Sequence, residues 1–370
     1  MNNYNIVTLG PSGAGKTVFL ASLFKQLSIQ GEHGFFLQVE DANKRNILNN
    51  IYTEIITGDK WPKGTKGEIT DWVFTCCVKT PSSSIYPVCQ FTYIDYAGGR
   101  LTDTAEEDDD DFESKVCDAD AVLAILDGQK VLAFMQDKEI TNRDVRIWVY
   151  QHLPNLMQLI NKCGPIPIHF IISKWDLIDK KYELLEVRNR LLEAIFEFRN
   201  VVHNINQANC PVRLIPVSSV GMKFATPQPD GSMKKNFCEL RPFQVEAPLA
   251  YVLTDGLERQ INRLQKTGLD KFSEQLFHFF SNNIIAPSTD LIKQNLPEKY
   301  NLENHVLQRL VDLTERSVQK VEKWQNLKAE SLKKVKDEKT ALSHSINSFR
   351  YIQTKLINDF PASDLKGVGI

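Results

Sequence analysis

A chain of 370 residues is long for one hydrophobic core and suggests one large domain with an appendage. With 42% apolar residues, 24% charged residues and a formal charge of −2, it has no general affinity for polyanions, which argues against nucleic acid as a partner. No apolar run reaches the length of a membrane span and no signal peptide precedes the first strand, so a cytoplasmic protein is expected. Seven cysteines without metal-ligand spacing, among them Cys76, Cys77, Cys89 and Cys117 in apolar runs, read as buried free thiols.

The first element is a short apolar strand, Ile6 to Leu9, followed by Gly10-Pro11-Ser12-Gly13-Ala14-Gly15-Lys16-Thr17. The spacing G-x-x-x-x-G-K-[ST] lets the backbone curl so that successive N–H groups point at phosphate oxygens. Lys16 would reach the β and γ phosphates, the Thr17 hydroxyl would bind Mg²⁺, and a helix starting at Lys16 would aim its positive end at the same anion. That helix runs to Gln30, with Val18, Phe19, Leu20, Leu23, Phe24 and Leu27 apolar and Gly31 ending it. Phe35 to Val39 suits a short strand. Asp41 suits the N-cap of a second helix carrying Ile47, Ile51, Ile55 and Ile56 and closed by Gly58.

Lys60 to Gly67 is a Gly- and Pro-containing loop. Two β-rich runs follow, Asp71 to Lys79 and Val88 to Asp95, joined by the polar segment Thr80-Pro81-Ser82-Ser83-Ser84, which suits antiparallel neighbours. The acidic block Glu106 to Asp111 should stay solvated. Ala119 to Leu126 reads as a strand buried on both faces, Asn142 to Asn161 as a helix, Ile166 to Ser173 as a strand, Leu184 to Val201 as a helix and Val212 to Val217 as a strand. This alternation predicts an α/β fold with a doubly wound, mostly parallel sheet. Gly221 to Pro242 is an excursion whose Asp230-Gly231 suggests a tight turn, and Phe243 to Leu264 should supply the closing helix.

The chain from Leu302 to Phe360 contains neither Gly nor Pro. Val318, Val321, Trp324, Leu332, Val335, Leu342, Ile346, Phe349 and Leu356 step mostly by three, four or seven, as in a coiled-coil seam. A single helix of that length would span roughly 80–90 Å. A hairpin broken near Ser343 to Ser348 is the competing geometry. The expected division is a nucleotide domain over 1–265 and an all-α extension over 266–370.

Four further motifs lie at the carboxyl ends of expected strands, where ligands of open α/β sheets bind. They are Thr65 within Trp61-Pro62-Lys63-Gly64-Thr65, Asp95 and Gly98 in a D-x-x-G pattern, Ser173-Lys174-Trp175-Asp176, and Pro216-Val217-Ser218-Ser219. Together with the phosphate loop they resemble the five motifs of the Ras-like P-loop GTPases of the translation-factor-related class, over roughly residues 4–265. The W-P-x-G-T and D-x-A-G-G segments are similar to GTPase-like proteins of bacterial conflict and defence systems, sometimes called double-GTPases.

The resemblance implies GTP or GDP as ligand, with Mg²⁺ held by Thr17, Thr65 and Asp95. It implies a phosphate cradle of Gly10, Ser12, Gly13, Ala14, Gly15, Lys16 and Thr17, with Lys16, Thr65 and Gly98 acting on the γ phosphate. It also implies base recognition by Lys174, Asp176, Ser218 and Ser219, the Asp176 carboxylate accepting from guanine N1 and N2, which adenine cannot match. Ser173 replaces the Asn or Thr that the family places first in its base-reading motif. Gly99 stands where such enzymes carry a Gln that orients the attacking water, which implies slow turnover completed by Ser12, Arg100 or a partner. A nucleotide-controlled switch for a protein complex, docking protein partners or a second copy through its switch loops and C-terminal helices, is the leading expectation. A nucleotide-holding assembly module without hydrolysis and an ATPase are the alternatives.

Overall fold

The computed structural model describes residues 3–64, 70–95, 110–228, 231–236, 238–255 and 328–368. Among the expected site residues, Thr65, Gly98, Gly99 and Arg100 lie outside these, as do Val318, Val321 and Trp324 of the apolar seam.

Strand β1 (Asn3–Leu9) leads through the phosphate loop into α1 (Lys16–Leu27); β2 (Phe36–Gln38), α2 (Ala42–Thr57), β3 (Thr70–Lys79) and β4 (Ile85–Asp95) follow. Next come α3 (Asp110–Cys117), β5 (Ala121–Leu126), α4 (Gly128–Gln136), α5 (Arg143–Ile147), a π-helical turn (Trp148–His152), α6 (Leu153–Lys162) and β6 (Ile168–Ile172). Helices α7 (Leu184–Ala194) and α8 (Phe196–Gln207) precede β7 (Val212–Pro216), a small hairpin β8 (Ala225–Pro227) and β9 (Met233–Lys235), helix α9 (247–255) and helix α10 (Glu338–Asp359).

Seven strands form one sheet in the order β2-β3-β4-β1-β5-β6-β7. Pairings β4·β1, β1·β5, β5·β6 and β6·β7 are parallel, and β3 is antiparallel to both its neighbours. The sheet thus has the expected mostly parallel, doubly wound form. Alternation along its strands splits the core in two. Tyr4, Ile6, Phe74, Phe91, Leu123 and Ile171 face α1, α9 and α10, while Val7, Leu9, Val122, Ala124, Phe170 and Leu214 face α4 to α8. Because β1 is central and parallel to β4, β5, β6 and β7, the carboxyl ends of these five strands open on one edge.

Several local readings differ from expectation in instructive ways. Helix α1 ends at Leu27 with Ser28 as its cap, before Gly31. Asp41 caps α2 as expected, its carboxylate accepting from Asn43 N at 2.8 Å and Lys44 N at 3.1 Å. The 142–161 helix is interrupted by the π turn, and the 184–201 helix is two helices parted at Ile195, whose φ of −119° and ψ of 100° are extended. Asp110 and Asp111, the end of the acidic block, open α3. Cys76, Cys77 and Cys89 are buried, but Cys117 is exposed at the end of α3.

The C-terminal seam packs on the sheet. Ala341, Leu342, Ile346, Phe349, Ile352 and Leu356 of α10 share the core of β3, β4 and α1, and Phe349 meets the Phe35 ring edge-on at 4.8 Å. Helix α10 runs unbroken through Ser343 to Ser348, where a hairpin was the competing geometry. The break lies earlier, at 334–337, where Asp337 caps the new helix by accepting from Thr340 N at 2.8 Å. One uninterrupted helix over 302–360 is therefore excluded.

Candidate nucleotide site

The strand–loop–helix turn after β1 is set by two glycines in the left-handed region, Gly13 at φ 79° and Gly15 at φ 92°, the second being the N-cap of α1. A side chain at either would strain the turn that presents the loop amides. Gly10 is needed for a different reason, since a Cβ there would lie 2.9 Å from the Ile125 carbonyl oxygen of β5.

The Lys16 side chain is buried and donates to the carbonyls of Gly10 at 2.7 Å and Pro11 at 3.3 Å. Burial lowers its amine to about 8, against the opposing pull of the Asp95 carboxylate. An incoming phosphate would offer this cation better acceptors than two neutral carbonyls. Asp95 ends β4 and is buried, on the same edge of the sheet.

The second half of the site follows β6. Ser173 N and Ser173 Oγ both donate to the Leu126 carbonyl, at 3.0 and 3.2 Å, so this side chain braces the loop against β5. Lys174 adopts the left-handed conformation, φ 50° and ψ 39°, a costly geometry for a non-glycine residue. Its amine is held at 3.0 Å from the Gly13 carbonyl, 2.8 Å from Gln129 Oε1 and 2.8 Å from Asp127 Oδ1. The loop after β6 is thereby tied to the glycine-built loop after β1. Asp176 accepts from Ser218 Oγ at 2.6 Å on one oxygen. Burial raises the Asp176 carboxyl, partly opposed by that hydrogen bond.

These parts converge on one cleft of about 440 Å³, lined by 11–18 of the phosphate loop, by Lys174, Asp176, Ser218 and Ser219, and by Trp61, Pro62 and Gly64. Ten of the expected nucleotide-contacting residues line it: Ser12, Gly13, Ala14, Gly15, Lys16, Thr17, Lys174, Asp176, Ser218 and Ser219. Gly10 and Asp95 are outside this lining and act on it through the Lys16 amine, the first by accepting from it and the second by its charge.

Three contributors carry no site expectation from the sequence. Asp127 caps α4 by accepting from Gln129 N at 3.0 Å and also receives Lys174. Gln129 bridges Lys174 to the β8–β9 hairpin, donating to the Gly231 carbonyl at 3.0 Å. Gly128 allows the crossing of two loops, since a Cβ there would meet the Ser173 carbonyl oxygen at 2.0 Å. The signal was present as Asp-Gly-Gln directly after the buried strand ending at Leu126. The remaining wall, Ala225 and Gly231 to Met233, comes from the hairpin.

The donor set also fits a hard cation such as Mg²⁺ that takes few protein ligands and keeps several waters. It offers a hydroxyl at Thr17 and a buried carboxylate at Asp95, rather than a cage of side chains. Among the described residues no group of three or more His, Cys, Asp or Glu side chains is placed to form such a cage. Among them, too, no helix is long and apolar enough to cross a membrane.

No family model matches the chain, and no curated protein matches it. Solved structures do. The signal recognition particle receptor SRb-GTP/SRX complex from Chaetomium thermophilum is similar at 13% identity over 60% of this chain and 93% of that one, with a TM-score of 0.34. Sup35 complexed with GDP is similar at 11% identity over 59% of this chain and 37% of that one, with a TM-score of 0.29. Likenesses this distant carry no argument about the ligand. Sheet order and element order together give this chain an α/β fold, a doubly wound mostly parallel sheet with C-terminal helices packed on it, and the glycine-built turn lies with the cleft residues at the strand ends.

Proposed function

We propose that the protein binds GTP and GDP, hydrolyses GTP slowly, and acts as a nucleotide-controlled switch for a protein complex. The observation that carries the reading is the pairing of Lys174 and Asp176 with the phosphate loop in one cleft: Lys174 is fastened to Gly13, and Asp176, held by Ser218, has a second carboxylate oxygen to offer. A half-buried carboxylate acceptor suits the adjacent N1 and N2 donors of guanine and leaves adenine with an unpaired group. Ser173 braces β5 and so cannot take over the contacts an Asn would make with the base.

For hydrolysis, Lys16 and the loop amides would stabilise charge on the γ phosphate as water attacks in line, with no covalent intermediate. Mg²⁺, when bound through Thr17 and Asp95 and, on the family resemblance, Thr65, would neutralise phosphate charge. Gly99 has no side chain to orient the water, so fast turnover would need a group from a partner, or from Ser12 or Arg100 in this chain. The switch segments and the extension from residue 266 are where we place docking of a protein partner or a second copy. Membership of the translation-factor-related class and of a bacterial defence system stays part of this reading.

Competition binding tests the base assignment. Unlabelled GTP should displace a fluorescent GDP at least about 100-fold more effectively than ATP, the discrimination expected when a desolvated acceptor is left unpaired. Asp176→Asn should abolish that preference. Equal displacement by ATP would favour the ATPase reading, whereas tight GTP binding with no phosphate release, alone or with a partner, would favour an assembly module.

A further inference from the structure

Between Ser219 and α9 the chain makes an excursion that neither the phosphate loop nor the base-reading loop requires. Its neck is closed. Ser218 N donates to the Phe243 carbonyl at 3.1 Å and Phe243 N to the Ser218 carbonyl at 2.8 Å. Gly221, at φ 89°, lets the two ends touch, since a Cβ there would lie 2.0 Å from the Arg241 carbonyl oxygen. The loop therefore issues from the residue that orients Asp176. Its underside is packed, with Val220 and Phe224 joining Ala21 of α1 and Ile55 of α2 in a small core of their own, against which Trp61 lies.

The hairpin at its end reaches both extremes of the cleft. On the nucleoside side, the Gly231 carbonyl accepts from Gln129, whose other end accepts from Lys174. On the other side, the Met233 carbonyl accepts from Trp61 Nε1 at 2.6 Å. Lys235 donates to the carbonyls of Glu54 at 2.8 Å, Gly58 at 2.8 Å and Lys60 at 2.7 Å, and its amine lies 5.1 Å from the Trp61 ring centre. Three donors meet three acceptors at the end of α2, the Glu54 carbonyl, which also accepts from Gly58 N, and the carbonyls of Gly58 and Lys60 just beyond the helix, where a cation is favoured. The chain of contacts Lys174, Gln129, hairpin, Trp61 is unbroken.

We propose that the β8–β9 hairpin is a strap that couples the base-reading end of the cleft to the segment following α2, with Trp61 and Lys235 as its positioning residues. The inference rests on the nucleotide reading above. A nucleoside seated against Lys174 and Met233 bears on the same hairpin that fixes Trp61, four positions before Thr65 in sequence. By linkage, whatever the triphosphate does to that segment the strap returns to the triphosphate, so loosening the strap must weaken triphosphate and diphosphate binding unequally.

Stopped-flow release of a fluorescent GDP and a fluorescent non-hydrolysable GTP analogue tests this in the full chain. Lys235→Met keeps the aliphatic stem and removes all three donors. It should speed release of the triphosphate analogue about tenfold and of GDP no more than about threefold. Trp61→Phe keeps a ring beside Phe224 and loses only the N–H; it should give the same inequality at about half the size on a logarithmic scale, and it decides the matter if the lysine variant does not fold. Equal acceleration of both nucleotides, or none, overturns the strap. Failure of the wild-type chain to bind either guanine nucleotide is a separate result that overturns the nucleotide reading itself and the strap with it.

Discussion

Gly128→Ala sets two physical effects against each other. Gly128 is the first residue of α4, and helix propensity alone favours alanine there by up to about 1 kcal/mol. The added Cβ, however, would sit 2.0 Å from the Ser173 carbonyl oxygen and 3.0 Å from that of Lys174. To reach ordinary contact the loop must retreat by more than about 1 Å. It has little room, because Ser173 is pinned to the Leu126 carbonyl through both its N–H and its hydroxyl. Overpacking of this kind costs about 1–3 kcal/mol. The displaced loop carries Lys174 away from Gly13 and, on the proposed nucleotide reading, Asp176 away from the base, so GDP affinity should fall about 10- to 100-fold. Titration calorimetry with GDP and a thermal melt without nucleotide read the two effects. Unchanged affinity together with a raised melting temperature would mean that propensity wins and that the loop crossing does not position the site.

Two pH profiles follow from burial. Lys16 is lowered to about 8 from 10.5. Between those values the unfolded chain holds more protons here than the folded one, so this group's contribution to stability rises with pH, while phosphate affinity, which needs the charged amine, falls above about pH 8. Across that range the GTP dissociation constant should rise, as affinity falls, while the urea midpoint rises with stability. His344 of α10 is pushed down to about 4 by burial, opposed by its hydrogen bond to Gly34. A carbonyl only accepts, so Nε2 donates to Gly34 at 3.0 Å and Nδ1 accepts from Ser331 at 3.1 Å, which fixes the neutral tautomer. The unfolded chain takes up a proton between pH 6.5 and 4 that the folded one refuses, so stability is lost as pH falls through that window, by about 3 kcal/mol at most. The loss should be absent in a His344→Gln variant measured by urea unfolding.

The parts of this molecule that were legible in its sequence are those whose cause is local. The phosphate loop needs left-handed residues and a cation within a few positions, and Gly13, Gly15 and Lys16 declare it. Buried strands such as Ala121–Leu126 declare themselves by continuous apolarity. The missed features have distant causes. Trp61 and Met233 are 172 positions apart, and nothing around either announces the other. Ile195 breaks a helix without Gly or Pro, because the packing of α7 and α8 on the sheet, not a local breaker, sets the bend. The seam of α10 shows the same limit from the other side. Its spacing announces a helix with one apolar face, yet it cannot say whether that face meets another helix or, as here, strands β3 and β4.

The central claim, a guanine nucleotide held between the loop at Gly10 to Thr17 and the pair Lys174 and Asp176, is tested most directly by the nucleotide that leaves the purified protein on denaturation. Chromatography of the released material should give GDP or GTP from the wild-type chain and neither from Lys16→Ala prepared in parallel. Release of an adenine nucleotide, or the same guanine nucleotide from both proteins, would contradict it.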